Sequence, residues 1–427
     1  MKTDPLKTEA LRYHSEPRPG KIEVLPTKPH HTQAELALAY SPGVAEPARV
    51  IADDPDAAYR YTNKGNTVAV ISNGSAVLGL GDIGPLAAKP VMEGKSMLFK
   101  IFGGIDAFDI EVDAADPETF IRTVRAIAPT FSGINLEDIK APECFEIDRR
   151  LQEELEIPVM HDDQHGTAVI VGAAILNALK ITGREAERQR VVINGAGAAA
   201  LACAEFLQRL DIRPENIVLC DSRGVVNRYR NDLNRYKQAF ATNRRIATLA
   251  EAIDGADIFI GVSKADVLTP AMLRTMADSP IVLALANPDP EIAYETALAS
   301  RPDLLFATGR SDLPNQVNNV LGFPYIFRGA LDVRARRIDD AMKLAAARAL
   351  AELARQPVPT SVLRAYGLER LEFGRDYLIP KPFDPRLRGT VAAAVAQAAM
   401  DSGVARTPIT DWDAYRERLR AEPLSAC

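Results

Sequence analysis

Two short apolar runs in this chain each end in carboxylates: Asn135-Leu136-Glu137-Asp138-Ile139 and Met160-His161-Asp162-Asp163-Gln164-His165. The residues between them, Cys144 to Leu155, carry a helical pattern. The two runs therefore read as parallel strands, Gly133 to Leu136 and Pro158 to Met160, joined by a crossover helix. Their C-terminal ends then share one edge of a sheet, where open α/β sheets bind ligands. Up to four carboxylates converge in that arrangement, and like charges packed together need a cation. Hard oxygen donors with no Cys among them suit Mg²⁺ or Mn²⁺. His161 and His165 fit either a ligand role or a structural one.

Two further residue types could move protons. Lys95 lies in the mainly apolar Val91-Met92-Glu93-Gly94-Lys95, after Gly79-Leu80-Gly81-Asp82-Ile83-Gly84. A desolvated lysine has a lowered pKa and acts as a base near neutrality. Tyr40, on the turn Tyr40-Ser41-Pro42-Gly43-Val44-Ala45 before a helix, is a matching acid if a cation lies beside it. A third feature binds rather than reacts. Val191-Val192-Ile193-Asn194 is a hydrophobic strand that runs into Gly195-Ala196-Gly197-Ala198-Ala199-Ala200, a G-x-G-x-x-G/A turn opening a helix. The first Gly permits the tight turn, the second lets backbone approach a pyrophosphate, and the helix N-terminus favours its charge. Asp221 closes the next strand and can accept from a ribose 2′-hydroxyl, as in NAD, whereas Arg223 can pair the 2′-phosphate of NADP. Both readings stay open on these residues.

The elements that must position these groups fall into three regions: 1–165, 166–314 and 315–427. In the first, Thr67 to Ser72 and Val77 to Leu80 flank Asn73-Gly74 and predict a β-hairpin. A helix over Lys89 to Phe99, a strand over Phe108 to Val112 and a helix over Pro117 to Ala128 follow. The second region alternates strands (190–194, 216–220, 257–262, 280–285, 304–308) with helices, as a parallel doubly wound sheet requires. The third is helical, with amphipathic runs at Arg337 to Arg355 and Arg388 to Ser402. The fold class is thus α/β: a Rossmann-type dinucleotide domain, an N-terminal α/β catalytic domain, and a helical C-terminal region completing the site.

Composition bounds the rest. The 427 residues are 47% hydrophobic and 25% charged, with a net charge of −6, which is ordinary globular chemistry. The chain has no basic stripe of the kind nucleic acid demands. No run reaches the roughly 18 apolar residues of a membrane span. Met1-Lys2-Thr3-Asp4-Pro5 lacks a signal-peptide core, and Cys144, Cys203, Cys220 and Cys427 are widely spaced. A reducing cytoplasm is the expectation, with a small-molecule substrate and neither nucleic acid nor membrane as partner.

Taken together, the motifs resemble those of one family. Tyr40-Ser-Pro-Gly-Val-Ala, Gly79-Leu-Gly-Asp-Ile-Gly, Val91-Met-Glu-Gly-Lys95, Asn135-Leu-Glu137-Asp138 and His161-Asp-Asp163-Gln-His-Gly-Thr167 stand in the order and spacing of malic enzymes. Ala286-Asn287-Pro288, Asn315-Gln-Val-Asn-Asn319 and Ile379-Pro-Lys-Pro-Phe-Asp-Pro385 continue it, and the likeness is to the shorter bacterial form. The resemblance implies metal-dependent oxidative decarboxylation of (S)-malate to pyruvate and CO₂ with NAD(P)⁺, inclining to NADP. It implies metal ligands Glu137, Asp138 and Asp163, with Lys95 as base and substrate contact. Tyr40 is then the acid that protonates C3, and Asp162 supports Lys95. Cofactor contacts fall on Gly195, Ala196, Gly197, Ala198, Ala199, Asp221 and Asn287, and substrate contacts on Asn287 and Asn319, with Asn318 competing for the nicotinamide. A domain-swapped or isologous homodimer is also implied. Where animal malic enzymes carry an Arg for the substrate carboxylate, this chain has Ala76. Malolactic chemistry, another 2-hydroxy acid, or a catalytically silent binding subunit are the alternative outcomes on the same scaffold.

Overall fold

The computed structural model describes residues 5–421; Cys427 and the first four residues lie outside them. Two parallel sheets organise the chain. The first has the order β2-β1-β3-β4, from β1 (Thr67–Ser72), β2 (Asp106–Glu111), β3 (Gly133–Leu136) and β4 (Val159–His161). The second has the order β10-β9-β8-β5-β6-β7, from β5 (Val191–Asn194), β6 (Ile217–Asp221), β7 (Gly224–Val225), β8 (Ile258–Gly261), β9 (Ile281–Ala284) and β10 (Leu305–Thr308). Only the short β7 runs antiparallel. Most of these strands are buried along their length, which explains their near-continuous Val, Ile and Leu.

The helix Asp162–Thr182 joins the two halves, beginning directly at the end of β4 and stopping at Gly183, whose φ of +66° suits the left-handed cap. It lies against the helix Ala198–Gln208 so closely that a Cβ on Gly172 would sit 2.4 Å from the Phe206 ring. It is the one helix among the described residues long and apolar enough to cross a membrane, and 67% of its apolar window is buried inside the fold. The helices Phe323–Asp332, Asp340–Ala354 and Ala393–Asp401 pack on the same core, with Phe323 and Phe327 edge-on to Phe99. Gly133 admits Phe327, whose ring would lie 3.1 Å from a Cβ there. The C-terminal region thus closes over the first sheet.

Three expectations change. Asn73-Gly74 turns the chain but makes no hairpin. Strand β1 already pairs with β2 and β3, so neither edge is free, and residues Leu78–Leu80 form a 3₁₀ turn. Gly74 instead accepts from the Ile83 and Gly84 amides, both at 3.1 Å. Asp162 and Asp163 occupy the first turn of a helix rather than a strand end, where the N-terminal dipole favours negative charge. The run at 388–402 opens with a π turn, Arg388–Ala392, before its α-helical part; there Arg388 Nε donates to the Phe102 carbonyl at 2.8 Å.

Candidate active site

The ends of β3 and β4 and the edge of the second sheet enclose a cavity of about 520 Å³. Its lining includes Lys95, Glu137, Asp138 and Asp163 from one side and Ala199, Ser263, Ala286, Asn287 and Asn319 from the other. Glu137, Asp138 and Asp163 each offer a carboxylate oxygen, all within 4.8 Å of one another. Asp138 adopts a φ of +53°, an uncommon conformation for a residue with a side chain, and its amide donates to Asp163 Oδ2 at 2.8 Å. This hard-oxygen, converging set fits a divalent cation by charge and by donor type.

Lys95 comes from the helix Pro85–Leu98 and is itself buried. Its ammonium lies 2.5 Å from Asp162 Oδ2, 2.9 Å from Glu137 Oε1, and 4.2 Å from the centre of the Phe323 ring. Burial alone would depress its pKa, as the sequence suggested. The charges of Asp162 and Glu137 outweigh that penalty and hold the ammonium above the ordinary lysine range. Glu137 and Asp162 are raised by their own burial, opposed by Lys95. Asp162 is fully buried and also accepts from Asn319 Nδ2 at 3.1 Å, while Thr167 donates to Asn319 Oδ1 at 3.2 Å. Asn319 therefore both faces the cavity and orients the partner of Lys95. No arginine lines the cavity among the described residues, Ala76 does, and Lys95 is its one cation.

The histidines separate. His165 Nε2 pairs with Asp148 Oδ2 at 2.8 Å, away from the carboxylate cluster. His161 is buried beneath that cluster, its Nδ1 3.7 Å from Asp163 Oδ2, and burial lowers its pKa.

Tyr40 is not brought to the cavity. It caps the helix Gln33–Ala39, is 76% exposed, and lies outside the lining. Neither this helix nor Ala45–Asp53 has a single buried residue, and Leu36, Leu38, Val44 and Val50 stand exposed beside it.

On the dinucleotide side, Gly195 has a φ of +137°, and a Cβ there would meet the Val262 carbonyl at 2.8 Å. Both facts require glycine. Gly197 is the N-cap of Ala198–Gln208, whose second residue, Ala199, reaches the cavity. Asp221 lies on the far side of β5, at the end of β6. Its carboxylate is engaged by Arg230 at 2.8 and 3.0 Å and by Lys237 at 2.8 Å. Partial burial opposes ionisation, but these donors hold its carboxyl down at about 2. Arg223 instead pairs with Asp232 at 2.9 Å.

The sequence motifs did not single out Phe323 or Ser263, and Thr167 enters only as the last residue of the His161–Thr167 motif. Phe323 follows the Asn315–Asn319 motif by only a few residues, which is a usable signal. Ser263 lies in the loop just after β8 (Ile258–Gly261), and nothing local marks it.

A parallel dinucleotide-type sheet facing a buried lysine and converging carboxylates defines an NAD(P)-dependent oxidoreductase of the α/β class. Comparison with known proteins narrows this. The family model described as malic enzyme, N-terminal domain, matches residues 19–152, and that of the malic enzyme NAD binding domain matches 164–364. An NADP-dependent malic enzyme of Halomonas elongata is 60% identical over 406 residues, 95% of this chain and 96% of that one. An NADP-dependent malic enzyme of Escherichia coli is 58% identical over 97% of this chain, which spans only 55% of its length. The crystal structure of malic enzyme from Pyrococcus horikoshii has a TM-score of 0.88 at 44% identity, covering 97% of this chain and 95% of that one. The chain belongs to the malic enzyme family, and with it to the enzymes that oxidatively decarboxylate malate with NAD(P)⁺.

Proposed function

We propose that the cavity converts (S)-malate to pyruvate and CO₂, with a divalent cation and NADP⁺ as its partners. The observation that carries this reading is a lysine ammonium, three further carboxylates and two dinucleotide-sheet loops around one cavity. Glu137, Asp138 and Asp163 would hold Mg²⁺ or Mn²⁺, which supplies Lewis acidity to the malate carboxylate and hydroxyl. Lys95 takes the C2 hydroxyl proton. Asp162 fixes its ammonium and Asn319 fixes Asp162. A cation held by Glu137 would draw that carboxylate's charge away from Lys95 and so favour its role as base. Ser263 and Asn287 would hold the nicotinamide and the Gly195 to Ala199 turn the pyrophosphate, and the bound cofactor would supply the hydride acceptor for C2. Asn287 and Asn319 remain for the substrate, and as the cavity's one cation among the described residues Lys95 also attracts its carboxylates.

The preference for NADP follows from the occupied Asp221. Arg230 and Lys237 already use its oxygens, so a 2′-hydroxyl finds no free acceptor there. Arg223, Arg230 and Lys237 outnumber Asp221 and Asp232, and the excess positive charge suits a 2′-phosphate. Tyr40 acts on C3 from a second copy of the chain. The wholly unburied helices that carry it, with their exposed Leu and Val side chains, support a homodimer in which each arm serves the partner's site. The unpaired, buried Cys144, Cys203 and Cys220 agree with a cytoplasmic setting.

Mixing Lys95→Ala and Tyr40→Phe chains tests the shared site. Each variant alone should be inactive. Random reassociation should restore about a quarter of wild-type activity, because half the dimers are mixed and each regains one site. No recovery would mean that Tyr40 acts within its own chain, and an active Tyr40→Phe chain on its own would mean that it does not act at all.

A further inference from the structure

Glu291 is fully buried, yet among the described residues no cation pairs with it. Its carboxylate is held by backbone instead. Oε1 accepts from the Ser263 amide at 3.0 Å and Oε2 from the Ala286 amide at 3.1 Å. Those two amides belong to different loops, one following β8 and one following β9. Both loops line the cavity, through Val262 and Ser263 and through Ala286 and Asn287. The Ser263 hydroxyl in turn accepts from Asn194 Nδ2 at 2.7 Å, which links the pair to the last residue before the Gly195 turn. Gly261 makes room for this side chain, since a Cβ there would lie 2.2 Å from the Glu291 carboxyl carbon.

A buried carboxylate without a cation is costly, and a neutral hydrogen-bonding side chain would be cheaper if only packing were at stake. Two convergent N–H donors on separate loops require an acceptor with two oxygens, which an ionised carboxylate supplies and an amide does not. Strands β8 and β9 lie on the side of β5 opposite Asp221, so their loops face the end of the dinucleotide remote from the adenosine ribose.

We propose that Glu291 is the positioning residue for the nicotinamide end of the cofactor: one carboxylate ties the loops after β8 and β9 together and sets Ser263 and Asn287 against the ring. This rests on the dinucleotide reading of the cavity. It touches neither the carboxylate cluster nor Lys95, so its loss should be felt by the cofactor and not by the metal.

The test is Glu291→Gln, which keeps the shape and leaves one loop amide facing a donor. NADPH binding, read by the fluorescence of the reduced nicotinamide, should weaken about tenfold to a hundredfold. The KM for NADP⁺ should rise with it and kcat for malate should fall. Mn²⁺-dependent decarboxylation of added oxaloacetate, which needs no hydride transfer, should persist at the wild-type rate. Unchanged NADPH affinity, or an equal loss of oxaloacetate decarboxylation, would overturn the proposal. Should that variant fail to fold, Gly261→Ala displaces the same carboxylate and should show the same selective loss; wild-type NADPH binding there would overturn it. A wild-type chain that bound no NADPH would instead refute the dinucleotide reading, and this inference with it.

Discussion

Gly166→Ala is a substitution on which helix propensity and site geometry disagree in sign. Gly166 lies inside the first turns of Asp162–Thr182, where replacing Gly by Ala ordinarily stabilises by about 0.8–1 kcal/mol. Here the added Cβ would sit 1.8 Å from Asp162 Oδ1 and 2.7 Å from its carboxyl carbon, so the carboxylate must move. Asp162 has no open space to turn into, being fully buried with its other oxygen held by Lys95 and Asn319. Losing one charge-assisted hydrogen bond costs about 1.5–3 kcal/mol. Set against the propensity gain, the net is a loss of roughly 0.5–2 kcal/mol of folding stability. The same loss at Lys95 lowers kcat/KM for malate by about 10- to 150-fold. Urea unfolding gives the first quantity, and initial rates with saturating Mn²⁺ and NADP⁺ give the second. A variant that is more stable and equally active would show that Asp162 does not hold Lys95 in the working enzyme.

Asp163→Ala should weaken Mn²⁺ binding while leaving the fold intact; equal affinity by titration would remove Asp163 from the ligand set. Lys237→Ala should lower kcat/KM for NADP⁺ by about tenfold and change that for NAD⁺ little, because only the former carries the 2′-phosphate that this cation pairs. Asp221 has a depressed carboxyl pKa, so its pairs with Arg230 and Lys237 contribute stability that is present above its ordinary range near 4. That contribution is lost as pH falls toward about 2, and Asp221→Asn should flatten the acid limb of the stability profile in that window.

Local chemistry made much of this molecule readable. The Gly195 turn needs only a strand, a turn and a helix in succession, and the carboxylates at Glu137 and Asp163 are each marked by the strand just before them. What escaped depends on contacts distant in sequence. Asn73-Gly74 has the composition of a hairpin, but β2 and β3 had already claimed both edges of β1. The apolar stretch around Lys95 predicts a lowered pKa; Asp162, 67 residues on, reverses the direction of that shift. Glu291 lies in a Pro-rich loop with no pattern around it, and only the packing of two strand ends discloses what it holds. Tyr40 was identified by its motif, yet its place outside the cavity depends on how the first helices leave the fold, which no local pattern encodes.

Purified protein given (S)-malate, Mn²⁺ and NADP⁺ puts the central claim to its most direct test. Reduced nicotinamide and pyruvate should appear in equal amounts, and omitting the metal or substituting Lys95→Ala should abolish both. Lactate formed without net cofactor reduction, or cofactor binding with no turnover of malate, would contradict the account.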